Sequence, residues 1–129
     1  MRVTYLDSSA IVKLAVAEPE SGALRRHLRR RSLVSSALAR TEVLRALLPS
    51  GADAVAAGRE VLRHVDLVRV NGRILDTAGE LPPPDLRSLD AIHLATAQQL
   101  GTDLAQLVAY DDRLIRAAQQ LRIKTSSPQ

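Results

Sequence analysis

A short apolar strand, followed at once by an acidic residue and an amphipathic helix, opens this sequence, and a similar order of elements recurs along the chain. The first thirteen residues read MRVTYLDSSAIVK, in which residues 2–6 predict a buried strand and residues 8–17 a helix. Further strands are predicted at residues 33–35, 65–70 and 107–110, each followed by a helical pattern. Strands that alternate with helices are typical of a parallel sheet with helices on both faces. The sequence therefore predicts an α/β protein, a three-layer α/β/α domain around a central parallel sheet.

Capping and turn residues predict where the other elements begin and end. Pro19 opens a helix that runs to about Arg31, and Ser36 opens one that ends before Pro49. Asn71 and Asp111 are predicted helix caps, since Asn and Asp are favoured there. The remaining helices are predicted at residues 52–64 and 88–100, with a surface loop at residues 82–84 and a final edge strand at residues 123–124. We expect one domain over residues 1–125 and a short, frayed C-terminal tail at residues 126–129.

The composition narrows the classes of protein that this chain can belong to. It has 129 residues and no Cys, which excludes disulfides and thiolate metal sites within them and agrees with a reducing compartment. No apolar run approaches the roughly 18 residues of a membrane span, and Asp7 and Lys13 interrupt any signal-peptide core. We therefore expect a soluble, cytoplasmic protein with no membrane partner.

The basic residues are almost all arginine, which affects the partners to expect. The formal net charge is +4, from 18 basic and 14 acidic residues, and only two of the basic residues are Lys. Arg suits bidentate contacts with phosphate, whereas the near absence of aromatic residues argues against binding single strands by base stacking. Five arginines occur in the second predicted helix, at positions 25, 26 and 29–31. They form either a solvated basic face or a surface that contacts phosphates.

Three acidic residues follow predicted strands or begin predicted helices, and a fourth lies one to two turns into a predicted helix, where a parallel sheet could gather all four. They are Asp7, Glu42, Asp90 and Asp111. The carboxyl ends of the strands form the usual binding edge of such a sheet. Two carboxylates about 4 Å apart repel by around 4 kcal/mol at an effective dielectric near 20, so a cluster of them needs a cation or a shared proton. Oxygen ligands without His or Cys suit Mg²⁺ or Mn²⁺.

Each of these acids also has a purely structural interpretation that spacing alone leaves open. Asp7 and Asp111 would serve as helix caps, and Asp90 would stabilise a helix N-terminus. Glu42 would pair with Arg45 at i,i+3 spacing. Other acids near the same predicted edge remain alternatives, namely Asp85, Asp103 and Asp112.

The same residues resemble a known family. LRSLDAIHLATA around Asp90 is the most specific stretch and YLDSSAIVK around Asp7 the next, with Glu42 in SSALARTEVLRAL and Asp111 in LVAYDDRL. In this order they resemble the PIN domain, and more narrowly the VapC-type toxins of bacterial toxin–antitoxin pairs, over nearly the whole chain. The resemblance implies a type II toxin that is a Mg²⁺- or Mn²⁺-dependent endoribonuclease. It also implies a homodimer, and inhibition by a small VapB-type antitoxin in a hetero-oligomer.

The resemblance assigns roles to individual residues. Asp7, Glu42, Asp90 and Asp111 match the acidic quartet that holds the metal and carries catalysis, and Ser9 matches a small hydroxyl beside the first Asp. Asp112 remains an alternative to Asp111, because the two are adjacent. The chain departs from many members at Ala109, where they carry Thr. Arg87 and Arg113 are candidate phosphate contacts because they lie close to Asp90 and Asp111 in sequence, with ordinary surface charge as the alternative.

His93 lies three residues after Asp90, and a hydrogen-bonding role is favoured over metal ligation because the quartet contains no His.

A non-enzymatic function is the alternative hypothesis. Receiver-like α/β modules also place Asp at strand ends around Mg²⁺, but they need a Lys that ends a late strand. This chain offers only Lys13 and Lys124. A PIN-like module that binds metal or RNA without cleaving it would show the same acids. Phosphate uptake from a small phosphodonor and an RNA cleavage assay would separate these alternatives from the ribonuclease.

Overall fold

Strands and helices alternate along the chain, as the repeated strand–turn–helix pattern predicts. The computed structural model describes residues 2–129 and contains five strands and seven α-helices within them. In chain order these are β1 (Val3–Leu6), α1 (Ser8–Ala15), α2 (Ser21–Leu28), β2 (Leu33–Ser36), α3 (Ala39–Leu47), α4 (Ala52–Arg63), β3 (Asp66–Val68), α5 (Gly72–Glu80), α6 (Ser88–Gln99), β4 (Leu104–Val108), α7 (Asp112–Gln120) and β5 (Thr125–Ser126). Short 3₁₀ turns follow α3 at Leu48–Ser50 and α6 at Gly101–Asp103.

The strand that opens the chain lies at the centre of the sheet. The strand order is β3-β2-β1-β4-β5, and every neighbouring pair is parallel. On one side Tyr5 pairs with Val34 of β2, and on the other with Leu107 of β4. From β1 the sheet grows outward in both directions, so the gap between β1 and β4 is the topological switch point. Binding sites of open parallel sheets form at the carboxyl ends of the strands beside such a point.

Side chains of β1 alternate between the two faces of the sheet and begin two separate parts of the core. Leu6 packs with residues of α1, α2 and α3, while Tyr5 packs with residues of α6 and α7. Helix α5 lies outside α6, where Ile74 and Ala78 contact Ala91 and Ala95. Helices therefore cover both faces of the sheet, which confirms the predicted three-layer α/β/α domain with a central parallel sheet.

Several predicted boundaries are wrong, and long-range pairing explains them. β4 begins at Leu104 rather than Leu107, because its residues pair with β1 from Val3 onward. Helix α3 begins at Ala39, since Ser36 belongs to β2 and pairs with Val68. Helix α2 ends at Leu28, so the arginines at positions 29–31 lie outside it.

The C-terminal residues contact the domain, contrary to the frayed tail that we predicted. The edge strand is Thr125–Ser126 rather than residues 123–124, and it pairs with β4. Ser127 Oγ donates to the Ala109 carbonyl at 2.7 Å, and the Tyr110 hydroxyl donates to the Pro128 carbonyl at 2.8 Å. These contacts join Ser127 and Pro128 to the residues that follow β4.

None of the helices within residues 2–129 has the length and apolar character needed to cross a membrane.

Candidate metal centre

One cavity opens beside the switch point, where β1 and β4 end. It has a volume of about 360 Å³ and is lined by Asp7, Ser8, Ser9, Glu42, Arg87, Ser88, Leu89, Asp90, His93 and Asp111. All four predicted acids thus reach the same space from four different elements. Ser9 and Arg87, the predicted supporting residues, also line it, whereas Asp112 and Arg113 do not.

Asp7 is both a helix cap and a wall of the cavity. It precedes α1 in extended conformation, and its Oδ1 accepts from the Ala10 N–H at 3.0 Å. Ser9 Oγ lies 2.7 and 2.9 Å from the two carboxylate oxygens. The residue is only 5% exposed, and this burial raises the pKa of the Asp7 carboxyl, against the opposing effect of these hydrogen bonds and of His93. The structural and functional interpretations of Asp7 are therefore compatible.

Glu42 is held at a single oxygen by two donors. It lies in the first turn of α3, and its Oε1 is 2.6 Å from Ser8 Oγ and 2.6 Å from His93 Nε2. Burial raises the pKa of the Glu42 carboxyl, but the hydrogen bonds from His93 and Ser8 outweigh this effect, so the pKa is lowered. Glu42 is therefore anionic near neutral pH and fixed in direction.

Asp90 and Asp111 face each other across Arg87. Burial and the negative charge of Asp111 raise the pKa of Asp90, while Arg87 opposes this shift. Arg87 Nε lies 3.8 Å from Asp90 Oδ2, and its Nη2 lies 3.6 Å from Asp111 Oδ2. The Arg87 side chain is 67% exposed, so these ion pairs are loose and solvated.

Asp111, rather than its neighbour, is the acid that faces the cavity. Its Oδ1 caps α7 by accepting from the Arg113 N–H at 2.8 Å and the Leu114 N–H at 3.3 Å. Asp112 is exposed in the first turn of α7. The two remaining alternatives, Asp85 and Asp103, are also exposed, and neither lines this cavity.

The chemistry of the site fits a hard divalent cation, although no coordination sphere is assembled. Among residues 2–129, no three or more His, Cys, Asp or Glu side chains are arranged so that they could hold a metal ion. The donors are nonetheless carboxylate oxygens, which suit Mg²⁺ and Mn²⁺. Burial raises the pKa of both Asp7 and Asp90, which shows that the cavity disfavours their negative charge. A bound cation would relieve this unfavourable charge.

Two contacts of the site were not predicted from the sequence. The sequence predicts Ser8 only as the first residue of α1, yet it donates to Glu42. The sequence predicts Tyr5 only as a buried strand residue, yet its hydroxyl lies 2.7 Å from His93 Nδ1. The hydrogen-bonding role favoured for His93 agrees with its contacts to Tyr5 and Glu42. The only signal for Tyr5 in the sequence is a phenolic hydroxyl on a strand predicted to be buried.

Comparison with known proteins agrees with this architecture. The family model described as PIN domain matches residues 4–120. Ribonuclease VapC46 of Mycobacterium tuberculosis is 62% identical over 129 residues, covering 99% of each chain. Ribonuclease VapC35 of the same species is 42% identical over 129 residues, covering 96% of each chain. The chain therefore belongs to the PIN-domain family, among its VapC-type members.

A solved structure supports the fold independently. The crystal structure of VapC20 from M. tuberculosis, described as a sarcin–ricin loop-cleaving toxin, superposes with a TM-score of 0.72. It covers 88% of this chain and 94% of the other, at 21% sequence identity. At this low sequence identity, the similarity between the two structures shows a shared fold only.

Proposed function

We propose that this protein is the toxin of a type II toxin–antitoxin system and acts as a Mg²⁺- or Mn²⁺-dependent endoribonuclease. The observation that carries the proposal is the convergence of Asp7, Glu42, Asp90 and Asp111 on one cavity at the switch point of the sheet. The relatives named ribonucleases, which match the chain over nearly its full length, support the same reaction. The substrate is RNA, and the reaction is hydrolysis of its phosphodiester bonds.

The four acids would hold the cation, and the residues around them would orient it. When bound, a divalent cation supplies positive charge at the phosphate and activates water for attack on phosphorus. Ser9 and the Ala10 N–H hold the Asp7 carboxylate in place, and capping of α7 holds Asp111. Arg87 lies at the rim of the cavity with an exposed guanidinium that suits a flanking phosphate.

Arg113 is a second candidate contact for phosphate. It is exposed on the first turn of α7 and lines a neighbouring cavity of about 200 Å³ together with Arg116 and the loop at Pro83. It would contact RNA beyond the scissile bond.

The partners follow from the proposed activity. A cytoplasmic nuclease that hydrolyses the cell's own RNA requires an inhibitor, and a VapB-type antitoxin that covers the acidic cavity would serve as one. We propose a toxin homodimer that binds this antitoxin as a hetero-oligomer, with residues 1–125 as its single PIN domain.

The strand order argues against the receiver-like alternative. Flavodoxin-like receivers have the order 2-1-3-4-5, whereas here β1 lies between β2 and β4. A PIN-like module without activity has this topology too, and only a cleavage assay separates it from the ribonuclease.

The adjacent acids Asp111 and Asp112 provide a matched test of the proposal. With Mg²⁺ or Mn²⁺ the wild-type protein should cleave RNA, and with EDTA it should not. Asp111→Asn should lower the cleavage rate by about 10²–10³-fold, because a metal-binding carboxylate supplies several kcal/mol of transition-state stabilisation. Asn caps helices as well as Asp does, so α7 should persist, as circular dichroism would show.

Asp112→Asn removes the same charge one residue away, outside the cavity, and should retain the wild-type rate. Cleavage in EDTA, or wild-type activity in Asp111→Asn, would contradict the proposed metal-dependent mechanism.

A further inference from the structure

A continuous row of hydrogen bonds runs from the cavity wall into the centre of the sheet. Ser8 Oγ contacts Glu42 Oε1, His93 Nε2 contacts the same oxygen, and His93 Nδ1 contacts the Tyr5 hydroxyl. His93 is 2% exposed and Tyr5 is fully buried. The row joins β1, α1, α3 and α6, whose residues are up to 88 positions apart in sequence.

The chemistry of these partners fixes the direction of the hydrogen bonds. A carboxylate only accepts, so the 2.6 Å contact with Glu42 places a hydrogen on His93 Nε2. In a neutral imidazole the other nitrogen, Nδ1, then has no hydrogen and accepts from the Tyr5 hydroxyl. A tyrosine hydroxyl carries its hydrogen near neutral pH and donates it to Nδ1. Tyr5 thereby selects the His93 tautomer that donates to Glu42.

A purely structural role would not require this arrangement. A buried histidine can be satisfied by one neighbour on each nitrogen without reaching a functional carboxylate. Here both donors, Ser8 and His93, meet Oε1, and Oε2 makes no hydrogen bond among residues 2–129. A glutamate otherwise turns freely about its side-chain bonds, and two donors on one oxygen determine which oxygen remains available.

We propose that Tyr5 and His93 are positioning residues that hold Oε1 of Glu42 and so present Oε2 to the divalent cation or to its water. Neither residue touches the cation or the RNA. This inference rests on the proposed function and adds to it two residues behind the acidic quartet. Partners behind a metal ligand commonly affect metal affinity by 10-fold or more, by orienting that ligand.

Four variants test the role of the two residues. Tyr5→Phe removes only the hydroxyl, and His93→Leu removes both hydrogen bonds. His93→Gln restores a donor and an acceptor on one planar group. Tyr110→Phe is the matched control, because it deletes the hydroxyl of the other Tyr in the chain, which bonds the Pro128 carbonyl instead.

Mn²⁺ affinity, measured by electron paramagnetic resonance without RNA, is the primary readout. Tyr5→Phe and His93→Leu should bind Mn²⁺ about 10-fold more weakly. His93→Gln should recover most of the affinity, and Tyr110→Phe should match the wild type. In a parallel RNA assay kcat should fall with metal affinity while KM for RNA changes little, since neither residue reaches the RNA.

Thermal unfolding separates positioning from misfolding. If His93→Leu does not fold, the Mn²⁺ affinities of Tyr5→Phe and Tyr110→Phe are compared to test the positioning role. Equal Mn²⁺ affinity in these two variants overturns the inference. Mn²⁺ affinity that is as low in His93→Gln as in His93→Leu overturns it as well. A wild-type protein that binds Mn²⁺ but cleaves no RNA would contradict the proposed function while leaving the positioning role testable through metal binding.

Discussion

Asp7 combines two roles that have opposite effects on the metal-free protein. As a cap it satisfies the Ala10 N–H at the start of α1, which stabilises the helix. As a buried carboxylate it places negative charge where burial raises its pKa, and the negative charge of Asp90 acts in the same direction. In the metal-free protein the buried negative charge of Asp7 therefore opposes folding, although the hydrogen bonds of its carboxylate favour folding.

Asp7→Asn should accordingly make the metal-free protein more stable while abolishing metal-dependent cleavage. Because the pKa of Asp7 is raised in the folded state, the wild-type protein is less stable at pH values above that pKa. Its free energy of unfolding increases as the pH falls toward the ordinary pKa of Asp. Asn is neutral throughout, so its advantage over the wild type should be largest near pH 8 and vanish in acid. Thermal unfolding in EDTA across this range measures the difference.

The exposed Asp112→Asn is the control for the Asp7 experiment and should show no such pH-dependent gain. If Asp7→Asn is less stable than the wild type at pH 8 in EDTA, the buried charge does not oppose folding, because Asn keeps the helix cap.

Arg87 is the positive charge that already lies between two of the acids. Arg87→Gln should strengthen Mn²⁺ binding about 2–5-fold, since an exposed ion pair contributes up to about 1 kcal/mol. It should also raise KM for RNA, because the phosphate loses a contact. Arg113→Gln, whose side chain lines a different cavity, should raise KM without changing Mn²⁺ affinity. Weaker Mn²⁺ binding in Arg87→Gln would show that Arg87 supports the metal ligands instead.

At the level of elements, the end of α7 has a feature that the sequence does not suggest. The Ile123 N–H donates to the Ala118 carbonyl and the Arg122 N–H to the Gln119 carbonyl, which together form a Schellman motif. This geometry puts Arg122 at φ 61°, in the left-handed region that glycine tolerates best. The helix therefore ends on a strained residue before β5 begins.

Arg122→Gly should raise the free energy of unfolding by about 0.5–1 kcal/mol, because glycine adopts this conformation without strain. Urea denaturation followed by circular dichroism would measure the change. Gln120→Gly, two residues earlier and inside α7, should lower stability by a similar amount, since glycine is unfavourable within a helix. Destabilisation by Arg122→Gly would mean that the arginine side chain makes a compensating interaction.

Local signals in the sequence predicted the order of elements but not all of their limits. Asn71 and Asp111 were predictable caps, and each accepts the expected backbone hydrogen bond. The start of β4 at Leu104 depends on pairing with Val3, about a hundred residues away, which no local pattern records. The contact of Ser127 with the Ala109 carbonyl, which joins the tail to the domain, is likewise non-local.

The same limit applies to the site. Residue type and position after strands indicated which acids to consider, and the family resemblance ordered them. The choice between Asp111 and Asp112 required the orientation of the first turn of α7, where only Asp111 caps the helix and lines the cavity. The contact of His93 with Glu42 spans 51 residues and joins two helices, so helical spacing could not reveal it.

At the scale of the whole molecule, the cavity depends on one pairing in the sheet. β1 and β4 lie side by side at the switch point, and their parallel register brings the residues that follow each strand to the same edge. Asp7 and Glu42 come from the first third of the chain, and Asp90 and Asp111 from the last third. The site thus belongs to the assembled sheet and to no single segment.

This central position of β1 has a consequence for biosynthesis. The ribosome makes the middle strand first, but β4, its neighbour across the switch point, emerges only after about a hundred residues. A nascent or truncated chain without α6 and β4 lacks Asp90 and Asp111 and leaves one edge of β1 unpaired. The assembled site therefore arises only once β4 and the start of α7 have been made, whereas products that end between α3 and α6 carry Asp7 and Glu42 but lack Asp90 and Asp111.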